Sequence, residues 1–445
     1  MAVQTEKNDI IAAIATPKGK GAVSCIRLSG EGSVDLMQRV TNGLPDTLQH
    51  GKMYVAHFHA RVRDKIMAVA FLHGKSYTGE ESAELYFHGG RYLTEQALLG
   101  LIDNGARLAT AGEFTRRAFL HGKIDLTQAE GIADLIDAES ADALAGAYEQ
   151  SEGRTRQAIE EIYAQAITLA ARAEVSIDYP EEDVEEQTRE QLAIGLQQLQ
   201  TRVQSEINGY DGGRIRREGA RVVLTGKTNA GKSTLFNTML REQRAIVSDE
   251  DGTTRDTIEE KCRYKDAAFV LVDTAGIRTT QSKAEQMGIQ RSKDACKSAD
   301  VVLHVLRKGE KIAESLDENA VIVVNSFQNL YKGAVRSAQN AGEKRVTVEL
   351  NAATGEGVPL LQEEIYRRIK NKTATGGAVN NPRQYAALKE AGECLARAQT
   401  AVQTLTADCI CADLRAALDA LGRITGRNVS DSLVDEIFSK FCVGK

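Results

Sequence analysis

The stretch GKTNAGKST, residues 226–234, holds two glycines, a lysine and hydroxyl side chains at the spacing G-x-x-x-x-G-K-[ST]. That spacing is what a phosphate cradle needs. Gly226 and Gly231 let the backbone curl so that the N–H groups of Asn229, Ala230, Gly231, Lys232, Ser233 and Thr234 face a phosphate. Lys232 supplies a point charge to the β- and γ-phosphates, and the Ser233 hydroxyl suits Mg²⁺. Two polar segments follow in order. GTTRD (252–256) offers Thr254 as a second hydroxyl ligand for Mg²⁺. DTAG (273–276) puts Asp273 within reach of the Mg²⁺ shell through water; Thr274 and Ala275 share its turn, and Gly276 can offer its N–H to a γ-phosphate. The chemistry these residues point to is binding and hydrolysis of a nucleoside triphosphate of the GTPase type.

Hydrolysis also needs a group that orients water. Ile277, directly after DTAG, has no polar atom for this task. The acidic or amide side chains of the following loop are Gln281, Glu285 and Gln286, and no arginine can be assigned as a finger. The base should be read just after the strand-like run VIVVN, where the residues are Asn325, Ser326, Phe327 and Gln328.

Elements that would position these groups follow from the apolar patterning. Strand-like runs at Arg221–Thr225, Ala268–Val272, Val301–Leu306, Ala320–Val324 and Arg345–Leu350 alternate with helical stretches, which predicts a parallel sheet covered on both faces by helices. The P-loop then lies between a strand and a helix, as it must. Residues to about 120 are mixed, with strand-like Ile10–Ala15 and Ala22–Leu28. From about 124 to 208 the period is near 3.6, with one break at Pro180. TATGGAVNNPRQ (373–384) reads as a linker, after which helical periodicity returns. The expected organisation is an α+β N-terminal domain (1–120), a discontinuous helical domain (121–217 and 378–445) and an inserted α/β domain (218–377).

A chain of 445 residues is too long for one core, in keeping with several domains. The net charge of −6 excludes a global attraction to phosphate backbones, so nucleic acid must be met by a local patch or a partner. RIRREGAR (214–221) is one basic cluster; a solvated linker face is the simpler reading, with tRNA phosphates as the alternative. Seven dispersed cysteines without a C-x-x-C pair fit a reducing compartment. No apolar run approaches a membrane span and no signal-peptide pattern is present, so a cytoplasmic protein without a membrane partner is expected. His57, His59, His88 and His121 show no ligand spacing with the cysteines, which argues against zinc.

Several separated blocks together resemble one family, the MnmE (TrmE) tRNA-modification GTPases. They are AIATPKGKGAVSCIRLSG (13–30), SYTGEESAELYFHGG (76–90), GEFTRRAFLHGKIDLTQAEGIADLIDA (112–138), the P-loop segments and the terminal FCVGK (441–445). The resemblance implies a folate-binding-like N-terminal domain that forms a homodimer, a helical domain and an inserted Ras-like P-loop GTPase domain. It implies GTP and GDP as ligands, tRNA as substrate and an FAD-dependent partner subunit, with an aminomethyl-type group placed on C5 of the wobble uridine. A tetrahydrofolate derivative would give the carbon. Hydrolysis would depend on K⁺, held by Asn229, Ser248 and Thr253, and Glu285 would be the catalytic residue that orients water, with Lys232 and Asn229 beside it. Folate would meet Arg27, Glu84, Lys123 and Lys445. Cys442 matches a family cysteine; a small packing residue is its simplest reading and a reactive thiol the other.

At the base the chain departs from the family. Asn-Lys-x-Asp is replaced by Asn325-Ser326-Phe327-Gln328, and Ser-Ala-Lys/Arg by Asn351-Ala352-Ala353. Gln328 has one acceptor and one donor where a carboxylate has two acceptors, and the loss of a charge-assisted pair is worth about 1–3 kcal/mol. Ala352 retains a backbone N–H that could reach guanine O6, and Phe327 could stack on the base, with a core contact as its simpler reading. Two other classes of function compete. One is a nucleotide-gated scaffold with degraded guanine specificity and little hydrolysis. The other is a ribosome-assembly GTPase sharing only the nucleotide domain, which leaves the N- and C-terminal blocks without a purpose.

Overall fold

The computed structural model describes the chain except residues 1–8, 73, 179–181, 244–257, 274–294, 311–319, 327–345, 405–406 and 445. It divides into two compact units, one of Met1–Ala133 with Gly422–Lys445 and one of Asp134–Leu421.

The first unit is built on a seven-stranded sheet: β1 (Ile10–Ile14), β2 (Val23–Ser29), β3 (Thr41–Asn42), β4 (Met53–Phe58), β5 (Asp64–Phe71), β6 (Ser82–His88) and β7 (Ala106–Leu108), in the spatial order β3-β4-β5-β6-β2-β1-β7. Only the β1–β7 pair is parallel. Alternation along β6 shows how the sequence sets the two faces. Ala83, Leu85 and Phe87 are buried under α1 (Ser33–Arg39) and α2 (Arg91–Asp103), with Leu36, Met37, Ala97 and Leu101 packed on them. Glu84, Tyr86 and His88 consequently stand on the opposite face. That face also carries Met53 and Val55 of β4 and Met67 of β5, all exposed. Helix α3 (Glu113–Leu120), Leu126 and Ala129 of α4 (Leu126–Asp137) and the C-terminal residues Val434, Phe438 and Phe441 complete the unit, the last five forming a small core of their own.

The second unit combines helices with a six-stranded sheet. Helices α5 (Ala141–Ser151), α6 (Arg154–Asp178) and α7 (Glu182–Glu218) lead into β8 (Ala220–Thr225). Pro180, the expected break, lies outside the described residues, between the end of α6 and the start of α7. Helix α8 (Lys232–Gln243), β9 (Ile258–Tyr264), β10 (Ala267–Asp273), β11 (Val301–Arg307), β12 (Val321–Asn325), β13 (Thr347–Leu350) and α9 (Val358–Thr373) follow, and α10 (Pro382–Thr404) and α11 (Ala407–Thr425) return to the helical part. The strand order is β13-β12-β11-β8-β10-β9.

The expected parallel sheet is found with one addition: β9 runs antiparallel to β10 at the edge. Its sequence IEEKCRY hides it, because an edge strand carries charges on its exposed side and, among its described side chains, buries only Cys262 fully. The central strands are near-continuous apolar runs, as two-sided burial demands, with Val222, Leu224, Leu271, Leu303, Val305, Val321 and Val323 at the core. The linker also differs from a loose tether. A Cβ on Gly209 of α7 would come within 2.4 Å of Gly377 N, and one on Gly212 within 2.8 Å of Gly376 Cα, so the linker lies directly against glycines of α7.

Candidate functional site

The loop after β8 crosses the carboxyl edge of the sheet before α8 starts at Lys232. Two of its glycines are obligatory. Gly226 has φ +129° and a Cβ there would sit 2.2 Å from Val305 O; Gly231 has φ +97° and a Cβ would sit 2.1 Å from Asn325 Nδ2. Asn229 adopts φ +65°, a left-handed conformation that asparagine tolerates better than most residues. Lys232 is buried, and its ammonium donates to the carbonyls of Gly226 and Lys227 at 2.9 Å each, folded back over its own loop.

Ser233, in the first turn of α8, donates its hydroxyl proton to Asp273 Oδ2 at 2.9 Å. Asp273 ends β10, which lies parallel beside β8, and is buried. A hydroxyl and a carboxylate are therefore brought together next to a lysine, an oxygen donor set that suits Mg²⁺. Beneath them His304 of β11 shares a 2.9 Å hydrogen bond with the Thr225 hydroxyl, and burial together with the Lys232 charge pushes its pKa down.

Asn325 is 1% exposed and neither end of its amide is directed to a base. Its Nδ2 donates to Ala230 O at 3.0 Å, and its Oδ1 accepts from Ala352 N at 3.1 Å. This corrects the expectation for Ala352. The N–H assigned to guanine O6 is engaged by Asn325, which ties the P-loop to the 351–354 loop. Asn351 caps that loop, its Oδ1 accepting from Ala353 N at 3.0 Å and Thr354 N at 3.3 Å. Ser326 is buried, and its N–H donates to Leu350 O at 2.8 Å. The expected ligands or readers Ser248, Thr253, Thr254, Thr274, Ala275, Gly276, Glu285, Phe327 and Gln328, with Ile277, Gln281 and Gln286, lie outside the described residues.

In the first unit, Arg27 and Glu84 are direct cross-strand partners and form a 2.8 Å ion pair. Tyr86, two residues along the same face, donates its hydroxyl to the other Glu84 oxygen at 2.5 Å. Arg27 also donates to Gly444 O at 3.3 Å and lies 5.8 Å from the centre of the Phe114 ring. Burial, then the Glu84 charge, pushes the neighbouring Cys25 thiol up to about 12, so this cysteine stays protonated. Lys123 is exposed and donates to Gly74 O at 3.2 Å; Lys445 lies outside the described residues. Sequence reasoning missed Tyr86, although its place two residues from Glu84 on a strand was a usable signal.

Arg117 was missed too. Its nearly buried guanidinium bonds Asp9, Glu80 and Glu113, and Arg107 forks onto the last.

Two further expectations need correction. The arginines of 214–221 are not a solvated face: Arg214 pairs with Asp300 at 2.5 Å, Arg217 with Asp134 at 2.9 Å and Arg221 with Glu259 at 2.8 Å, while Arg216 donates to Thr373 O. Those carboxylates leave little field for a phosphate backbone. Cys442 is exposed rather than packed; the neighbouring Phe441 fills the core position. Among the described residues no group of histidine, cysteine and carboxylate side chains is placed to hold a metal, and no helix is long and apolar enough to cross a membrane.

Comparison with known proteins matches two family models, the GTP-binding protein TrmE N-terminus over residues 10–123 and the MnmE helical domain over residues 126–442. The chain is 36% identical over 466 residues to the tRNA modification GTPase MnmE of Chlorobium chlorochromatii, covering 99% of this chain and 98% of the relative. It is 37% identical over 459 residues to that of Chlorobaculum tepidum, covering 98% and 97%. The protein of the same name from Thermotoga sp. strain RQ2 is 36% identical over 454 residues, covering 98% of this chain and 100% of the relative.

Proposed function

The chain belongs to the MnmE family of tRNA modification GTPases, and we propose that its GTP hydrolysis is K⁺-dependent and drives installation of an aminomethyl-type group at C5 of the tRNA wobble uridine. A flavin-dependent partner subunit takes part in the reaction, and a tetrahydrofolate derivative supplies the carbon. The observation that carries the reading is the meeting of Lys232, Ser233 and Asp273 at the carboxyl edge of a doubly covered sheet. The domains are taken as 1–120, 121–217 with 378–445, and 218–377.

Bound to this site, the N–H groups of Asn229 to Thr234 would take the β-phosphate, and the Lys232 ammonium would exchange the Gly226 and Lys227 carbonyls for β- and γ-oxygens. Ser233 and Thr254 would hold Mg²⁺, with Asp273 behind a water; Asn229, Ser248 and Thr253 would hold K⁺. Held there, the two cations would supply positive charge against that growing on the phosphates as the bond breaks. Glu285 would orient the attacking water, a task Ile277 cannot perform, while Thr274, Ala275 and Gly276 line the γ-phosphate. Gln328 would face the base, while Asn325 and Ala352 would act through the tether between them.

For folate, Glu84 would face the pterin amide edge, steadied by Arg27 and Tyr86, and Lys123 and Lys445 would meet the glutamate tail. The protein works as a cytoplasmic homodimer joined through the N-terminal domain, and the exposed Met53, Val55 and Met67 on the sheet face give that domain apolar surface to cover.

The test has two arms. Phosphate release is measured in K⁺ and in Na⁺ with wild type and Glu285→Ala; stimulation by K⁺ and loss on substitution are expected. Wobble uridine from cells lacking the protein is then analysed by mass spectrometry, and normally modified uridine would remove the assigned role.

A further inference from the structure

The P-loop is held from behind by two strands. At the end of β12, Asn325 donates to the carbonyl of Ala230. At the end of β11, the guanidinium of Arg307 donates to the preceding carbonyl, Asn229 O, through Nε at 2.9 Å and Nη2 at 2.7 Å. Arg307 and Asn325 are register partners across β11 and β12, so the two clamps sit side by side. Two consecutive carbonyls are thereby held outward. In a curled loop this directs the N–H groups of the following residues to the other side, where that of Ala230 donates to Lys227 O at 3.3 Å within the loop.

We infer that Arg307 is a positioning residue for nucleotide binding, which fixes the Asn229–Ala230 peptide and places a positive charge behind it. Two physical points favour this role. Asn229 is a non-glycine residue at φ +65°, a conformation that persists only where surrounding contacts favour it. A charged donor on a carbonyl polarises the whole peptide unit, which strengthens the Ala230 N–H as donor to Lys227 O at 3.3 Å, the bond that closes the turn of the cradle. Arg307 is exposed, so its contribution to folding is small while its charge adds to the field at the loop.

The inference rests on the nucleotide reading of this loop, and the experiment separates the two. Binding of mant-GDP and mant-GTP to full-length protein with Mg²⁺ is titrated for wild type, Arg307→Ala, Arg307→Gln and Arg307→Lys, alongside each melting temperature. Removing a charge-assisted bond at an exposed site should weaken both nucleotides by about fivefold in the Ala and Gln variants. The Lys variant, which keeps the charge, should stay within about twofold of wild type. Melting temperatures should match. Unchanged binding in all variants, or a fall in melting temperature with no rescue by lysine, overturns the assignment. Failure of wild type itself to bind would overturn the nucleotide reading instead.

Discussion

Asn325 gives the sharpest test of how the nucleotide site is assembled, through two substitutions that differ in one atom type. Asn325→Ala deletes both bonds of the tether and leaves the Ala230 carbonyl and the Ala352 N–H buried without that partner. Each such group costs about 1–3 kcal/mol, so a loss of about 2–6 kcal/mol is expected. Asn325→Asp keeps the shape and the bond from Ala352 N, but sets a carboxylate oxygen 3.0 Å from Ala230 O in place of the amide donor. A charge at a position 1% exposed adds desolvation to that repulsion, for about 3–5 kcal/mol in total.

The isosteric change should therefore be at least as harmful as the truncation at about pH 8. Burial raises the carboxyl pKa of the introduced Asp above its usual value of about 3.9. A raised acid makes stability fall as pH rises through that window, so acidification restores it. Once protonated, the Asp carboxyl can donate to Ala230 O, and the gap between the variants should close toward about pH 5. The assay is mant-GDP binding with urea unfolding followed by circular dichroism; the chain contains no tryptophan, so the fluorophore is read without that background. If Asp and wild type bind alike at both pH values, Asn325 is not a tether and the account of the loop is wrong.

Two other perturbations follow from buried charge. Arg117→Met removes a guanidinium that Asp9, Glu80 and Glu113 share, while Arg107 still holds Glu113; a loss of about 2–4 kcal/mol is expected by chemical denaturation. Burial pushes Glu113 up, but Arg107, the Thr110 N–H and Arg117 outweigh it and hold it low, so its share of stability is full above 4.5, falls away in acid, and should fall less in the variant. His304 runs in the other regime, its pKa lowered by burial and by Lys232, so the neutral ring contributes fully above 6.5 and loses that contribution as pH drops through the lowered value. Melting temperature should decline from about pH 7 to about pH 5, and His304→Gln should flatten part of that slope; an unaltered slope would show the imidazole is not titrating there.

What could be read from the chain and what could not divide along sequence distance. The P-loop is local: glycines, lysine and serine lie within nine residues between a strand and a helix, and their spacing alone predicted the curl. The central strands were equally visible, because two-sided burial makes them apolar throughout. Contacts made across the sheet left no such trace. Arg307 meets Asn229 across 78 residues, and Asn325 meets Ala230 across 95. Arg27 finds Glu84 only through the register of β2 and β6. The arginines of 214–221 looked like a free basic patch because their partners Asp134, Asp300 and Glu259 come from distant segments. Strand β9 was hidden by its charged outward side.

The tether also bears on which base this site selects. With both ends of the Asn325 amide used inside the protein and the Ala352 N–H engaged by it, these two residues contribute less to reading the base than to holding the loops. On the proposed assignment of Gln328 as a base reader, discrimination then falls more heavily on this residue, which lies outside the described part of the chain. Guanine presents two donors, N1–H and the 2-amino group, and a carboxamide can accept from one while facing the other with its own N–H. Xanthine presents N1–H beside a carbonyl, a donor and an acceptor that match the amide oxygen and N–H in order. Replacing a carboxylate by an amide should weaken guanine by about ten- to hundredfold relative to an Asp variant, through loss of a charge-assisted pair. Titration of GTP, ITP, XTP and ATP against wild type and Gln328→Asp should show XTP bound at least as well as GTP by wild type, and the order reversed by the substitution. Tight, strictly guanine-selective binding by wild type would mean that groups other than Gln328 read the 2-amino position.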